Sequence, residues 1–413
     1  MLIKLAWRSL WRRKRRTFIT CFTVAGGILL SVIFTGSGDY TYTQIIDTSA
    51  TMGLGHITVE PKGYNDIPTL QKRISNASNA REEALKIPRV VAAAERITGM
   101  AMFASAAKSV GGVFFAVDPA HETPKINTFL RAMVEGEMLS ESDGRQIVIG
   151  AKMAEKLKIG LGRKLVYTMT DVDGEIVSEV GRVSGIFKTG VEEVDGAFAL
   201  IPIDRVRKVL KYAPDEASLV AVFIDDQRKV DEVGQLIAAQ VGNSDRDVLT
   251  WKETQKEVSG MVKVDRTGNY LSQFLVGLLI AAGILNTIFM SVLERQREFG
   301  VMLAVGMRPG SLFRLVVLES LFIAIVGLIM GIILTAPFFF YLYNYGLDLR
   351  QFADNMEGYA VGGTMIDPVM KVRLFKESAI AILSGVFGLT ILAGLYPAWK
   401  AASQAPVESL KTI

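Results

Sequence analysis

Four stretches of this 413-residue chain are long and apolar enough to cross a bilayer as helices, and every other feature must fit around them. A hydrocarbon core is spanned by about 20 apolar helical residues. Thr17–Ser37, Tyr270–Leu293 and Ser378–Ala398 meet that length without a charged residue, and Leu312–Tyr345 exceeds it. The last of these carries Glu319 near its start and Pro337 further on, where the helix is expected to kink or end. The chain is 50% hydrophobic and 21% charged, but the averages hide a segregation, with charge in the middle and apolar residues toward the ends. The fold class that follows is a membrane α-helical protein with four transmembrane helices and one large inserted α+β domain.

Orientation comes from the basic residues. Lys4, Arg8, Arg12, Arg13, Lys14, Arg15 and Arg16 precede the first span with no acidic residue among them. Positive charge is retained on the cytoplasmic side, so both termini are expected inside. The expected organisation is residues 1–38 as a cytoplasmic amphipathic helix and first span, and 39–269 as an outer domain. Residues 270–413 then hold the second span (270–293), a cytoplasmic connector (294–311), the third span (312–345), an outer loop (346–377), the fourth span (378–398) and a cytoplasmic tail. Arg350, Lys371, Arg373 and Lys376 run against the rule in the outer loop, but the N-terminal bias is stronger. The first apolar run is longer than the about 7–15 residues of a signal-peptide core, so it is expected to persist as a span. Residues 2–16, with Trp7 and Trp11 four apart, read either as a helix in the headgroup layer or as a basic flank that sets topology.

The segment 39–269 mixes two periodicities. Gly55–Glu60, Val113–Val117, Gln146–Ile149, Ala197–Ile201 and Leu219–Ile224 have strand character, and Asp173-Gly174 joins Leu165–Thr170 to Ile176–Ile186 as a hairpin. Asn79–Lys86, Ala151–Leu157, Asp204–Tyr212 and Lys229–Val241 have helical character. Residues 40–52 and 252–266 are placed to prolong the first two spans as a stalk.

Catalytic chemistry is hard to find. The two histidines, His56 and His121, lie far apart and have no cysteine partner, since the single Cys21 sits in an apolar run. No metal site and no catalytic residue is expected, and His56 is expected to be structural or exposed. Gly160-Leu-Gly-Arg-Lys164 lacks the spacing of a nucleotide-binding loop, so no cofactor is expected on this chain. Nothing in it points to nucleic acid.

The connector is the most informative segment. Glu294 and Glu298 are four apart and share a helical face, with Arg295 and Arg297 projecting elsewhere. Phe299, Met302, Leu303 and Val305 then give a short amphipathic helix, ended by Gly306 and followed by Pro309. Such a helix between two spans either plugs into a cytoplasmic partner or is an ordinary interfacial loop; the residues alone leave both open.

A resemblance weighs between them. The run Asn286-Thr-Ile-Phe-Met-Ser-Val-Leu-Glu-Arg-Gln-Arg-Glu-Phe-Gly-Val-Met-Leu-Ala-Val-Gly306 resembles the coupling-helix region of FtsX-like ABC transporter permeases. Trp7-Arg-Ser-Leu-Trp-Arg-Arg-Lys-Arg-Arg-Thr17 is similar to that family's basic lead-in, and Leu318-Glu-Ser-Leu321 with Gly327 and Gly331 to the start of its third span. Tyr396-Pro-Ala-Trp-Lys-Ala-Ala-Ser-Gln-Ala-Pro-Val-Glu-Ser-Leu410 resembles its C-terminal signature. Gly55-His-Ile-Thr-Val59, Phe115-Ala-Val-Asp-Pro119 and Gln146-Ile-Val-Ile-Gly150 resemble the MacB-like periplasmic core.

The resemblance implies a type VII ABC transporter permease in a bacterial inner membrane, its large domain periplasmic. Its implied partners are a cytoplasmic ATPase dimer that binds ATP and Mg, and a second permease as homo- or heterodimer. The ATPase-coupling residues would be Glu294, Arg295, Arg297, Glu298, Gly300, Ala304 and Gly306. Gly327, Gly331 and Glu319 would serve membrane packing, with Glu319 paired to Arg314 or Arg295. MacB carries a fused ATPase domain and this chain has none, so in that respect and in length it resembles the lipoprotein-releasing permeases LolC and LolE. The function implied is release of lipoproteins, or another amphiphilic substrate, from the outer leaflet, with a periplasmic carrier or adaptor and membrane lipid as further partners. The alternatives are MacB-type efflux of small molecules or peptides, and FtsX-like regulation of cell-wall hydrolases.

Overall fold

The four apolar runs are helices in the computed structural model, which describes residues 2–12, 14–348, 360–361, 364–365 and 369–403. Span 1 is Lys14–Ser49, prolonged by a π turn over Ala50–Leu54; span 2 is Lys256–Glu294, span 3 Pro309–Asn344 and span 4 Lys376–Ala402. The helices of spans 1 and 2 continue well past their apolar cores, through most of residues 40–52 and 252–266. Pro337 lies inside span 3 and does not end it: the helix runs on to Asn344. The missing N–H of a proline removes one helical bond, which a long and otherwise apolar helix can absorb. Part of the outer loop and the end of the C-terminal signature, from residue 404, lie outside the described residues.

The chain forms two compact units. One gathers Met1–Thr41, Val264–Asp348 and the segment from Val369; the other is built on Tyr42–Lys263. In the first, close helix contacts depend on small residues. A Cβ on Gly327 would stand 2.9 Å from Val24 of span 1, and one on Gly331 would stand 2.5 Å from Ile28. Both glycines are buried, so spans 1 and 3 meet where side chains are absent. Leu271, Phe274, Leu275, Leu278 and Leu279 of span 2 are exposed. An apolar surface like that suits lipid and would be costly in water. Helix α1 (Leu2–Arg12) buries Ala6 and Leu10 in this unit, and Trp7 meets Phe322 of span 3 edge-on at 5.3 Å.

The second unit contains a ten-stranded mixed sheet. Its strands are β1 (Ile57–Pro61), β2 (Val90–Ala104), β3 (Ser109–Val117), β4 (Met133–Gly136), β5 (Gln146–Gly150), β6 (Lys164–Thr170), β7 (Ile176–Phe187), β8 (Phe198–Pro202), β9 (Leu219–Ile224) and β10 (Arg246–Thr250). They lie in the order β10-β1-β9-β2-β3-β8-β5-β7-β4, with β6 joining β2 to β7. The pairs β3–β8 and β5–β7 are parallel. Helices Ala77–Leu85, Ala151–Leu157, Ile203–Leu210 and Val230–Val241 cover one face through a core that includes Ile97, Phe103, Ile149 and Val222. The other face carries a smaller core around Phe115, Phe129, Phe187 and Leu200.

Three strands of this sheet, β2, β4 and β10, are absent from the sequence reading. β2, at 15 residues the longest, contains Ala92-Ala-Ala-Glu95, whose helix-forming composition is overridden by pairing with β9. β10 is a half-buried strand at the edge of the sheet, with weak alternation.

The charged pair at the heart of this unit is Arg96 and Glu122, both buried. The guanidinium donates to the two carboxylate oxygens at 2.8 and 2.9 Å and to the Gly53 carbonyl at 2.6 Å, inside the π turn. Asn127 donates to Glu122 at 2.9 Å, and its carbonyl caps the short helix Thr128–Arg131 by accepting from the Phe129 N–H. A buried charge is tolerable when its hydrogen bonds are met in this way. His56 is also buried and structural, its Nε2 lying 3.0 Å from Asp47 Oδ1.

Candidate functional site

The connector between spans 2 and 3 is a nine-residue helix (Gln296–Ala304), set off from span 2 by one residue. That residue is Arg295, at φ −108° and ψ 12°, outside helical geometry. One expectation is corrected here. Arg295 does not project away from Glu298: its Nε donates to Glu298 Oε2 at 3.1 Å, as residues three apart on successive helical turns can.

Arg295 organises the site. Its Nη1 lies 2.8 and 2.9 Å from the two oxygens of Glu319 on span 3, and its guanidinium stacks 4.8 Å from the Phe299 ring centre. Arg295 and Phe299 are both buried. A lone carboxylate well inside a span costs on the order of 3 kcal/mol, so the pairing removes the main objection to Glu319 in an apolar helix. The ion pair therefore ties the start of the connector helix to span 3, and Phe299 buries its ring in the apolar core of this unit.

The other residues named from sequence distribute around this anchor. Gly300 is buried beside Phe299, whereas Glu294, Arg297, Glu298, Ala304 and Gly306 are exposed, together with Val301 and Val305. Gly306 has φ +104°, a conformation that favours glycine, and it turns the chain so that Pro309 can open span 3 at the first helical turn. Gly327 and Gly331 lie further along span 3, against span 1.

One participant has no local sequence signature. Arg16, at the start of span 1, donates to Glu294 at 3.1 Å and also to the Thr287 carbonyl. Its only sequence signal is membership of the basic run that set the topology. Arg16, Thr17, Thr20, Thr287, Arg295 and Glu319 line a small polar cavity of about 80 Å³ between these helices. That is room for several waters at ~10–15 Å³ each. Among the described residues no group of three His, Cys, Asp or Glu side chains is placed to hold a metal ion. The arrangement offers an exposed helix face on a mount fixed by an ion pair.

Residues 17–240 match the family model of the MacB-like periplasmic core domain, over half of the chain, and residues 271–406 match that of the FtsX-like permease C-terminal region. The chain belongs to the MacB-type FtsX-like permeases. Relatives agree over nearly full length. It is 22% identical to the lipoprotein-releasing system transmembrane protein LolC of Xylella fastidiosa, over 98% of this chain and 97% of that one. It is 23% identical to an uncharacterized ABC transporter permease of Methanocaldococcus jannaschii, over 99% and 97%. Against the macrolide export ATP-binding/permease protein MacB of Escherichia coli it is 24% identical over 99% of this chain but 60% of that protein. This FtsX-like permease is thus an ABC transporter permease. Its four apolar helices and MacB-like core fit an inner-membrane protein with a periplasmic domain.

Proposed function

We propose that this permease works with a separate cytoplasmic ATPase, which docks on the connector helix and drives movement of the periplasmic domain. The observation that carries the proposal is the split character of this connector: Arg295 ties it to Glu319 of span 3 and Phe299 is buried, while Arg297, Glu298, Val301 and Val305 remain exposed. A helix held in this way passes a push on its free face to span 3 instead of yielding locally. In this reading both termini are cytoplasmic, ATP and Mg are bound by the ATPase, and a second permease, identical or related, completes the assembly.

The substrate in this reading is a lipoprotein in the outer leaflet of the inner membrane, handed to a periplasmic carrier. Support comes from the LolC relatives, one of which matches 98% of this chain. Efflux of small molecules through an adaptor is the second reading, favoured by the similar identity to MacB. Co-expression of the permease with candidate ATPases, followed by purification, tests the core of the proposal. Wild type should retain an ATPase and alter its turnover, and Glu298→Lys should insert normally yet lose that effect. Unaltered ATPase coupling in Glu298→Lys, or labelling of residues 294–311 from the periplasmic side alone, would overturn it. Mass spectrometry of material bound to the purified complex separates lipoprotein from small-molecule substrates.

A further inference from the structure

The long strand β2 has two different neighbours on one edge. β9 pairs with it as far as Arg96, opposite Leu219, and β6 takes over at Met102, opposite Thr168. Its other edge is paired with β3 without interruption from Arg96 to Ala104. Residues 97–101 therefore face a slot where the sheet divides. A cavity of about 650 Å³ opens there, within the ~300–1,000 Å³ usual for small-molecule sites. Leu54, Tyr64, Leu70, Met100 and Val113 give it a mostly apolar wall.

One charged group stands in that wall. Glu60, at the end of β1, is 2% exposed. It accepts a hydrogen bond from the Asn65 N–H at 2.8 Å. Lys72 exerts a small favourable electrostatic influence on it, but its ammonium hydrogen-bonds the Gly63 and Ile67 carbonyls. Asp247, opposite Glu60 on β10, and Asp66 in the adjoining loop add negative potential. Burial, with those two carboxylates, raises the Glu60 pKa to about 7 even though the Asn65 N–H pulls it down. A carboxyl set in an apolar wall without a directly bonded countercharge is costly to ionise and is complementary to a donor-bearing cation.

We infer that this slot is a binding site for an amphiphilic amine, its apolar body against Leu70, Met100 and Val113 and its ammonium on Glu60. The inference goes beyond the permease reading and does not depend on which ATPase or substrate the permease serves. An alkyl or aromatic body of moderate size would exclude water from the slot, and the ammonium would supply the countercharge that the protein withholds from Glu60. A fatty acid of the same length would meet a like charge in the same place.

The test uses the full chain in lipid nanodiscs, with empty nanodiscs as the partition control, and dansylcadaverine as a fluorescent probe. Its N-pentyl analogue, lacking the amine, reports the apolar contribution alone. Wild type should bind dansylcadaverine saturably and at least tenfold more tightly than the analogue. Glu60→Gln, which keeps an oxygen for the Asn65 N–H, should erase that ratio while leaving analogue binding unchanged. Met100→Lys, at a position 76% exposed and so tolerant of change, should weaken the amine probe at least tenfold. No saturable binding to wild type, equal affinity for the two probes, or an amine preference that survives Glu60→Gln would each overturn the assignment.

Discussion

Arg295 and Glu319, 24 residues apart, meet through one guanidinium nitrogen that lies 2.8 and 2.9 Å from the two carboxylate oxygens. The pair joins the start of the connector helix to the third span. It also shields from the apolar interior a carboxylate that would otherwise have no place there. Since breaking a buried pair strands a charge, and removing both partners does not, the two kinds of variant should separate cleanly. Arg295→Met should destabilise the protein in detergent by ~3–5 kcal/mol, and Arg295→Met with Glu319→Leu should recover most of that. Thermal unfolding of the two single variants and the double variant measures it; strictly additive losses would contradict the pairing.

The glycines of span 3 make a steric prediction. A leucine at Gly331 must push into Ile28, and one at Gly327 into Val24. Gly331→Leu is expected to insert with unchanged topology but to unfold more readily, by about 1–3 kcal/mol for overpacking. Disulfide trapping between cysteines at positions 24 and 327 should proceed in an otherwise unaltered protein and fail in Gly331→Leu. Efficient trapping in both would show that the helices need no such close approach.

In the outer unit, Arg96 is the counterpart of Arg295. It is 1% exposed and ties the π turn at Gly53 to Glu122. Arg96→Met leaves Glu122 buried with only Asn127 to donate to it, and should cost ~3–5 kcal/mol. Limited proteolysis should then find new cleavage around residues 50–54 before the sheet itself gives way. Unchanged protease resistance there would remove the tie from consideration.

Glu60 gives the pH dependence. Its carboxyl rises from 4.5 to about 7 on folding, chiefly through burial. A group raised in this way contributes stability that is complete below the unfolded value and is lost as pH climbs through the folded one. Between pH 4.5 and 7 the change is on the order of 3 kcal/mol. The unfolding midpoint of the full chain should fall across that window, and Glu60→Gln should flatten the slope. An equally steep profile in the variant would assign it to other groups.

Much of this architecture is legible in the sequence because membrane spans are coded redundantly, by twenty or so residues each, and basic flanks repeat the message. The hairpin at Asp173-Gly174 and the helix Ala151–Leu157 are likewise written locally. β2 is not, because its alanines take their conformation from partners far away in the chain. At the connector, the amphipathic pattern of residues 296–304 and the charge on Glu319 could be read directly. The helix break at Arg295 could not, although the three-residue spacing of Arg295 and Glu298 already allowed the two to meet. The link from Arg16 to Glu294 was similarly hidden, since seven basic residues in one flank look alike until one of them finds an acid.

The arginine that neutralises span 3 is made before it, at the very end of span 2. Glu319 has no basic residue after it in its own helix, so the charge that suits it to an apolar setting is borrowed from outside that helix. The third span is therefore electrically incomplete without the residue that trails the second, and the two behave as halves of one hairpin.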